Sequence, residues 1–157
     1  MVYRLAPNEG LGGTRPDRYS DSVTNTGERR CVLVTAGCTT GWTDWIHGEL
    51  WLCPDGLLRR ALGLGRTVRH LWFPTVRPGE WQTHSFSAEE VERIVATGRR
   101  NLWVPFTGIA RARLGDSQLD IETQNGERIS LMWVPVDDVT PLRTKLADVL
   151  GDRLRSG

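Results

Sequence analysis

Five arginines, Arg59, Arg60, Arg66, Arg69 and Arg77, lie between Gly56 and Gly79 with no acidic residue among them, and Trp72 and Phe73 are interleaved. A guanidinium is planar, permanently charged and carries forked donors, so a run of them can hold phosphate oxygens or carboxylates. An adjacent indole adds an amphipathic anchor. Arg59, Arg60, Arg66, Arg69, Trp72 and Arg77 are therefore the candidate ligand- or partner-binding residues. The plainer reading is a solvated basic face. Lys145 is the only lysine in the chain, so a coding bias like that of high-GC bacteria explains the arginines without any function. Isolated surface charges contribute little to stability.

Two other constellations could do chemistry. Cys31, Cys38, His47 and Cys53 are residue types that bind zinc, but they lack the paired short Cys-x-x-Cys spacing of a structural site. The three cysteines are an odd number, which does not suit a disulfide framework. Reduced, mostly buried thiols are expected instead, with no metal and no cofactor. His84-Ser85 and the approach of Asp44 to His47 suggest a triad. However, the chain has no Gly-x-Ser-x-Gly elbow, no His-Glu-x-x-His and no Walker loop. Catalysis is not expected.

Composition narrows the partners. The chain has 157 residues, a formal net charge of +1 and 39% apolar residues, which suits one domain with a core. A balanced charge argues against nucleic acid as partner. No apolar run reaches the ~18 residues of a membrane span. The start of the chain has no apolar run after Arg4, so no signal peptide is read there and a cytoplasmic location is expected.

The elements that must position these residues begin after a flexible tail, residues 1–30, which is rich in Gly, Pro, Asp and Ser. A single domain is expected over 31–157. Cys31 to Thr35 predicts the first strand. Gly48 to Cys53 and Leu57 to Arg60 predict a hairpin around Pro54-Asp55-Gly56, with a three-residue loop and a left-handed bulge at Gly56. That register sets Leu52 opposite Leu58. It puts Leu50, Leu52 and Leu58 on the core face, with Trp51 and Arg59 meeting on the other. Arg66 to Phe73 can form a further strand. Ser87 and Glu90 form a capping box, and Phe86 can staple onto Val91, so a helix over about 88–97 is predicted, with Gly98 as its C′ residue. From Asn101 the chain returns to strand, with Val104, Phe106, Ala110, Ala112 and Leu114 on one parity, a bend or bulge at Gly108, and Arg111 and Arg113 facing solvent. For Leu119–Trp133 the apolar pattern selects a three-residue loop, Gln124-Asn125-Gly126, with Ile121 opposite Ile129 and positive φ at Gly126. Thr140-Pro141 starts a last helix, about 141–154, whose stripe Leu142, Leu146, Val149, Leu150 and Leu154 must be buried. Trp133 belongs to the core, whereas Trp42, Trp45, Trp72 and Trp81 fall in loops or at strand ends.

Two stretches resemble the PH-like superfold in its broad sense, which includes bacterial PH-like and GRAM-like domains. Gly48-Glu-Leu-Trp-Leu-Cys-Pro-Asp-Gly-Leu-Leu58 is similar to the family's G-x-L-x-L-T-x-x-x-L hairpin, with Cys53 in place of the usual Thr. Leu102 to Ile109, the hairpin after it and the last helix resemble the family's later strands and capping helix. The resemblance covers roughly Cys31 to Leu154, and the helix near Ser87 departs from it as an insertion. It implies a mainly β fold with α: a sandwich or partly open barrel of about seven antiparallel strands, an inserted short helix and a C-terminal capping helix. It brings no catalytic residues. It implies a non-enzymatic binding or scaffold module holding a protein partner, with anionic lipid at an arginine-rich strand face as the alternative.

Overall fold

The computed structural model describes residues 27–41, 43–44, 46–63, 82–133 and 139–157. The expected tail up to residue 26, the strand at 66–73, Trp42, Trp45, Trp72 and Trp81 lie outside the described residues. The described residues are mainly β with two α-helices, and their nine strands form one sheet that is not closed into a barrel.

The strands are β1 (Glu28–Thr40), β2 (Gly48–Leu52), β3 (Gly56–Ala61), β4 (Thr83–Ser87), β5 (Leu102–Pro105), β6 (Ile109–Leu114), β7 (Gln118–Thr123), β8 (Arg128–Met132) and β9 (Leu154–Ser156). The helices are α1 (Ala88–Ala96) and α2 (Thr140–Leu150). The strand order is β5-β3-β2-β1-β8-β7-β6-β9, with β4 added to β1. β1 joins two halves. Its N-terminal part pairs with β4, its middle with β2, and Thr39 and Thr40 with β8. Its ladder with β2 shifts register between Leu33 and Thr35 and again between Thr35 and Cys38, the kind of irregularity that bends a strand. The first strand thus starts three residues earlier than the sequence suggests and runs well past Thr35.

The main core lies between the two halves and α2. Leu50, Leu52, Leu57 and Val104 meet Leu114, Leu119, Ile121, Leu131 and Trp133 there, sealed by Leu142, Leu146 and Leu150. The helix predicted to reach Leu154 stops at Leu150. Gly151 has φ 51°, and Leu154 belongs to β9. β9 runs parallel to β6, so the sheet is not purely antiparallel and has two strands more than expected.

The hairpin β7–β8 is as the pattern predicts. Ile121 faces Ile129, Leu119 faces Leu131, and Gly126 has φ 81°. In β2–β3 the register differs by one residue: Leu52 faces Leu57 and Leu50 faces Arg59. The loop is one residue shorter, Pro54-Asp55, because the Cys53 N–H donates to the Gly56 carbonyl at 2.9 Å; Gly56 is not left-handed, and the faces of β3 are exchanged. Leu57 and Arg59 turn to the main core. Leu58 joins Trp51, Cys31, Leu33, Cys53, Phe86 and Val91 in a second core on the far side of the sheet. Gly56 is needed for a different reason: a Cβ there would sit 2.7 Å from the Val104 carbonyl oxygen and 2.8 Å from the Trp103 ring.

α1 packs against that second core through Val91 and Ile94. Ser87 caps it as predicted, accepting the Glu90 N–H at 3.1 Å. Its C-terminal end is closed by Asn101, which donates to the Ile94 carbonyl at 2.6 Å and accepts the Ala61 N–H at 2.7 Å. Gly98 is not left-handed.

Candidate functional site: two groups of arginines

Of the arginine stretch, the described members Arg59 and Arg60 lie on opposite faces of β3. Arg59 is 1% exposed, whereas Arg60, its neighbour on the opposite face, is exposed. Arg66, Arg69, Trp72 and Arg77 lie outside the described residues. The expected contact between Arg59 and Trp51 is absent, because the register places them on opposite faces.

Arg59 is instead held by protein acceptors. Its Nη2 donates to Asp44 Oδ2 at 2.9 Å, to the Ile46 carbonyl at 2.7 Å and to the Cys38 carbonyl at 3.2 Å. Its Nη1 donates to the Arg100 carbonyl. Gly48 clears the space: a Cβ there would lie 3.3 Å from Arg59 Cζ and 2.8 Å from the Arg60 carbonyl oxygen. Asp44 also accepts from the Thr40 hydroxyl at 2.6 Å, the Thr40 and Ile46 amides, and Arg100 Nε at 3.1 Å. Burial alone would raise the Asp44 carboxyl. The hydrogen bonds from Thr40 and Ile46 and the charge of Arg59 outweigh it and hold the carboxyl below its ordinary value. This cluster ties the β1–β2 loop, β3 and the α1–β5 loop together; both terminal nitrogens of Arg59 have partners, while its buried Nε makes no hydrogen bond among the described residues. It is a structural tie. Asp44, suggested by the sequence as a triad partner of His47, is committed to Arg59 and Arg100.

The cysteines correct another expectation. Cys31 and Cys53 face each other across β1 and β2, with Cα atoms 4.2 Å apart, and form a disulfide. The zinc candidates Cys31, Cys38, His47 and Cys53 thereby lose two thiolates, and no group of three or more metal-binding residues occurs among the described residues. Cys38 is the free cysteine. Burial pushes its thiol up to about 12, against a smaller opposing effect of Arg59, so at neutral pH it is protonated and a poor nucleophile. His84 is half-exposed, stacks edge-on against Phe86 at 4.4 Å, and lies 4.0 Å from Glu90.

A second group of arginines occupies the outer face of β9-β6-β7-β8. Strand alternation puts Ala112, Leu114, Leu119, Ile121 and Leu131 in the core, so the residues between them face outward. Arg111 and Arg113 from β6, Asp120 and Glu122 from β7, Arg128 and Ser130 from β8, and Arg155 from β9 line a shallow concavity of about 510 Å³. Cross-strand register arranges them in two rows: Arg111, Glu122 and Arg128 in one, Arg155, Arg113, Asp120 and Ser130 in the other. Asp120 is oriented by Gln118 and the Ser130 hydroxyl, each donating at 2.7 Å, and lies 4.0 Å from Arg113. Among the described residues, Arg111, Arg128 and Arg155 make no ion pair or side-chain hydrogen bond. The sequence reading found Arg111 and Arg113 but not the face. Pairing the β6–β7–β8 registers would have added Arg128. Nothing in the sequence pointed to Arg155, because Leu154–Ser156 is too short to show a period.

No protein-family model matches the chain, and no curated protein is significantly similar to it.

Proposed function

We propose that the chain is a non-enzymatic binding or scaffold module of PH-like architecture that holds a protein partner. The order of its elements supports the PH-like reading: a strand meander, the inserted β4 and α1, four further strands and a sealing helix. The observation that carries the binding reading is the outer face of β9-β6-β7-β8, a concavity whose guanidinium groups exceed its carboxylates. In a domain whose other large sheet faces are covered, such a face is where an external group can satisfy donors that the protein itself leaves open.

Affinity capture with the full chain from its native host tests this. A stoichiometric protein partner is the expected result, and the absence of any stable partner would overturn it.

Peripheral binding of anionic lipid through the arginine stretch is the second reading. Arg60 supports it by its exposure, while the burial of Arg59 removes one of its members. Co-sedimentation with anionic vesicles, unaffected by Arg60→Glu together with Arg66→Glu and Arg69→Glu, would remove it.

The location is part of the proposal. No described helix is long and apolar enough to cross a membrane. The cytoplasmic location expected from sequence requires Cys31 and Cys53 to be reduced there, whereas the disulfide favours an oxidising compartment. Thiol labelling of the protein taken directly from cells distinguishes the two.

A further inference from the structure

On the reading that the chain holds a protein partner, we infer that the outer face of β9-β6-β7-β8 docks an acidic segment in which carboxylates flank a basic residue.

Arg113 and Arg155 are directly opposed across β6 and β9, and Arg111 is two residues along the same strand. Sheet geometry sets the first pair about 5 Å apart and the second about 7 Å apart along the backbone. Like charges directly opposite each other in a sheet are destabilising. Arg155 has no carboxylate opposite it, Glu122 stands between Arg111 and Arg128 without forming an ion pair to either, and Arg113 has only the 4.0 Å contact with Asp120. This corner is therefore electrostatically incomplete, and an added carboxylate offsets the repulsion while forming forked hydrogen bonds.

The carboxylates decide which anion fits. Asp120 and Glu122 lie in the middle of the face, between Arg111 and Arg113 on one side and Arg128 on the other. Asp120 is held in place by Gln118 and Ser130. A uniformly negative surface, such as an anionic membrane or a polyanion, sets its charges against these two acids. A segment with acidic side chains over the arginines and one basic side chain over Asp120 and Glu122 meets complementary charge at each position. Like-charge juxtaposition is costly enough to exclude the wrong pattern.

The test uses the full chain and three probes at low and physiological salt: an acidic synthetic peptide in which pairs of Glu alternate with single Lys, poly-glutamate of equal length, and vesicles containing an anionic phospholipid. NMR shift mapping reports where each binds. The expected result is binding of the alternating peptide with shifts confined to β6, β7, β8 and β9, tighter than poly-glutamate. Arg111→Glu with Arg113→Glu and Arg155→Glu should weaken it by at least about tenfold, and Arg60→Glu should leave it unchanged.

Equal binding of all three probes, preference for vesicles, or no binding of the alternating peptide would overturn the inference. So would shifts centred elsewhere. If a partner is captured from the host and its affinity survives the triple reversal, the docking surface is wrong but the module stands. If no partner exists, both fall.

Discussion

The two halves of the sheet use the same residue type in opposite ways. In β5-β3-β2-β1 both faces are covered, one by the main core and one by α1 and its cluster, and the buried Arg59 is met by four acceptors. In β8-β7-β6-β9 one face is open, the arginines on it outnumber the carboxylates, and among the described residues Arg111, Arg128 and Arg155 make no ion pair while Arg113 has one at 4.0 Å. A guanidinium taken out of water must be satisfied by the protein. One left in water need not be, and its donors remain for an external partner. The difference separates a structural half from a recognition half, although the sequence presents both as arginines on β-strands.

The largest effect should come from the structural half. Arg59→Met leaves Asp44 without its buried counter-charge and three backbone carbonyls without their donor. A loss of roughly 3–5 kcal/mol is expected in urea unfolding. A loss under about 1 kcal/mol would mean that the pair is solvated, and the contrast between the halves would weaken.

Next comes the disulfide between β1 and β2. Cys31 and Cys53 are 22 residues apart, and closing a loop of that size limits the unfolded chain by about 3 kcal/mol. Cys31→Ser should lower stability by that order under oxidising conditions and have little effect in the presence of a reductant. Equal stability of the wild type with and without reductant would show that the bond contributes nothing.

Acid should then separate the halves more finely. The Asp44 carboxyl is held below its ordinary value of 3.8. Its charged form therefore stabilises the fold above that value, and the contribution is lost as pH falls through the lower folded-state value. Asp44→Asn should be less stable than wild type at neutral pH and should approach it at strongly acid pH. A constant gap between the two at all pH values would place the carboxyl's effect outside its ionisation.

What the sequence revealed depended on how unlike the two faces of a strand are. In β7–β8 one face is Leu119, Ile121, Ile129 and Leu131 and the other is charged, so a one-residue slip would expose the whole apolar set, and the loop length follows. In β2–β3, Leu50, Trp51 and Leu52 are all buried because both faces of that half-sheet are covered. Alternation then carries no information, and the turn alone decides the register. The wrong register placed Arg59 in solvent and hid both the second core and the buried ion pair. The disulfide was hidden by the odd cysteine count, since Cys31 and Cys53 become neighbours only once β1 and β2 are paired. The end of α2 did have a signal in Gly151, a common stop where positive φ is needed. The capping box at Ser87 was legible because it is entirely local.

The division between a structural and a recognition half is tested most directly by urea unfolding of the variant carrying Arg111→Gln, Arg113→Gln and Arg155→Gln. Removing three exposed charges, of which Arg113 alone has an ion pair and that a long one at 4.0 Å, and two of which are directly opposed, should leave stability within about 0.5 kcal/mol of wild type or raise it slightly. A loss of several kcal/mol, comparable to that of Arg59→Met, would show that these arginines hold the fold together and that the open face is not kept for a partner.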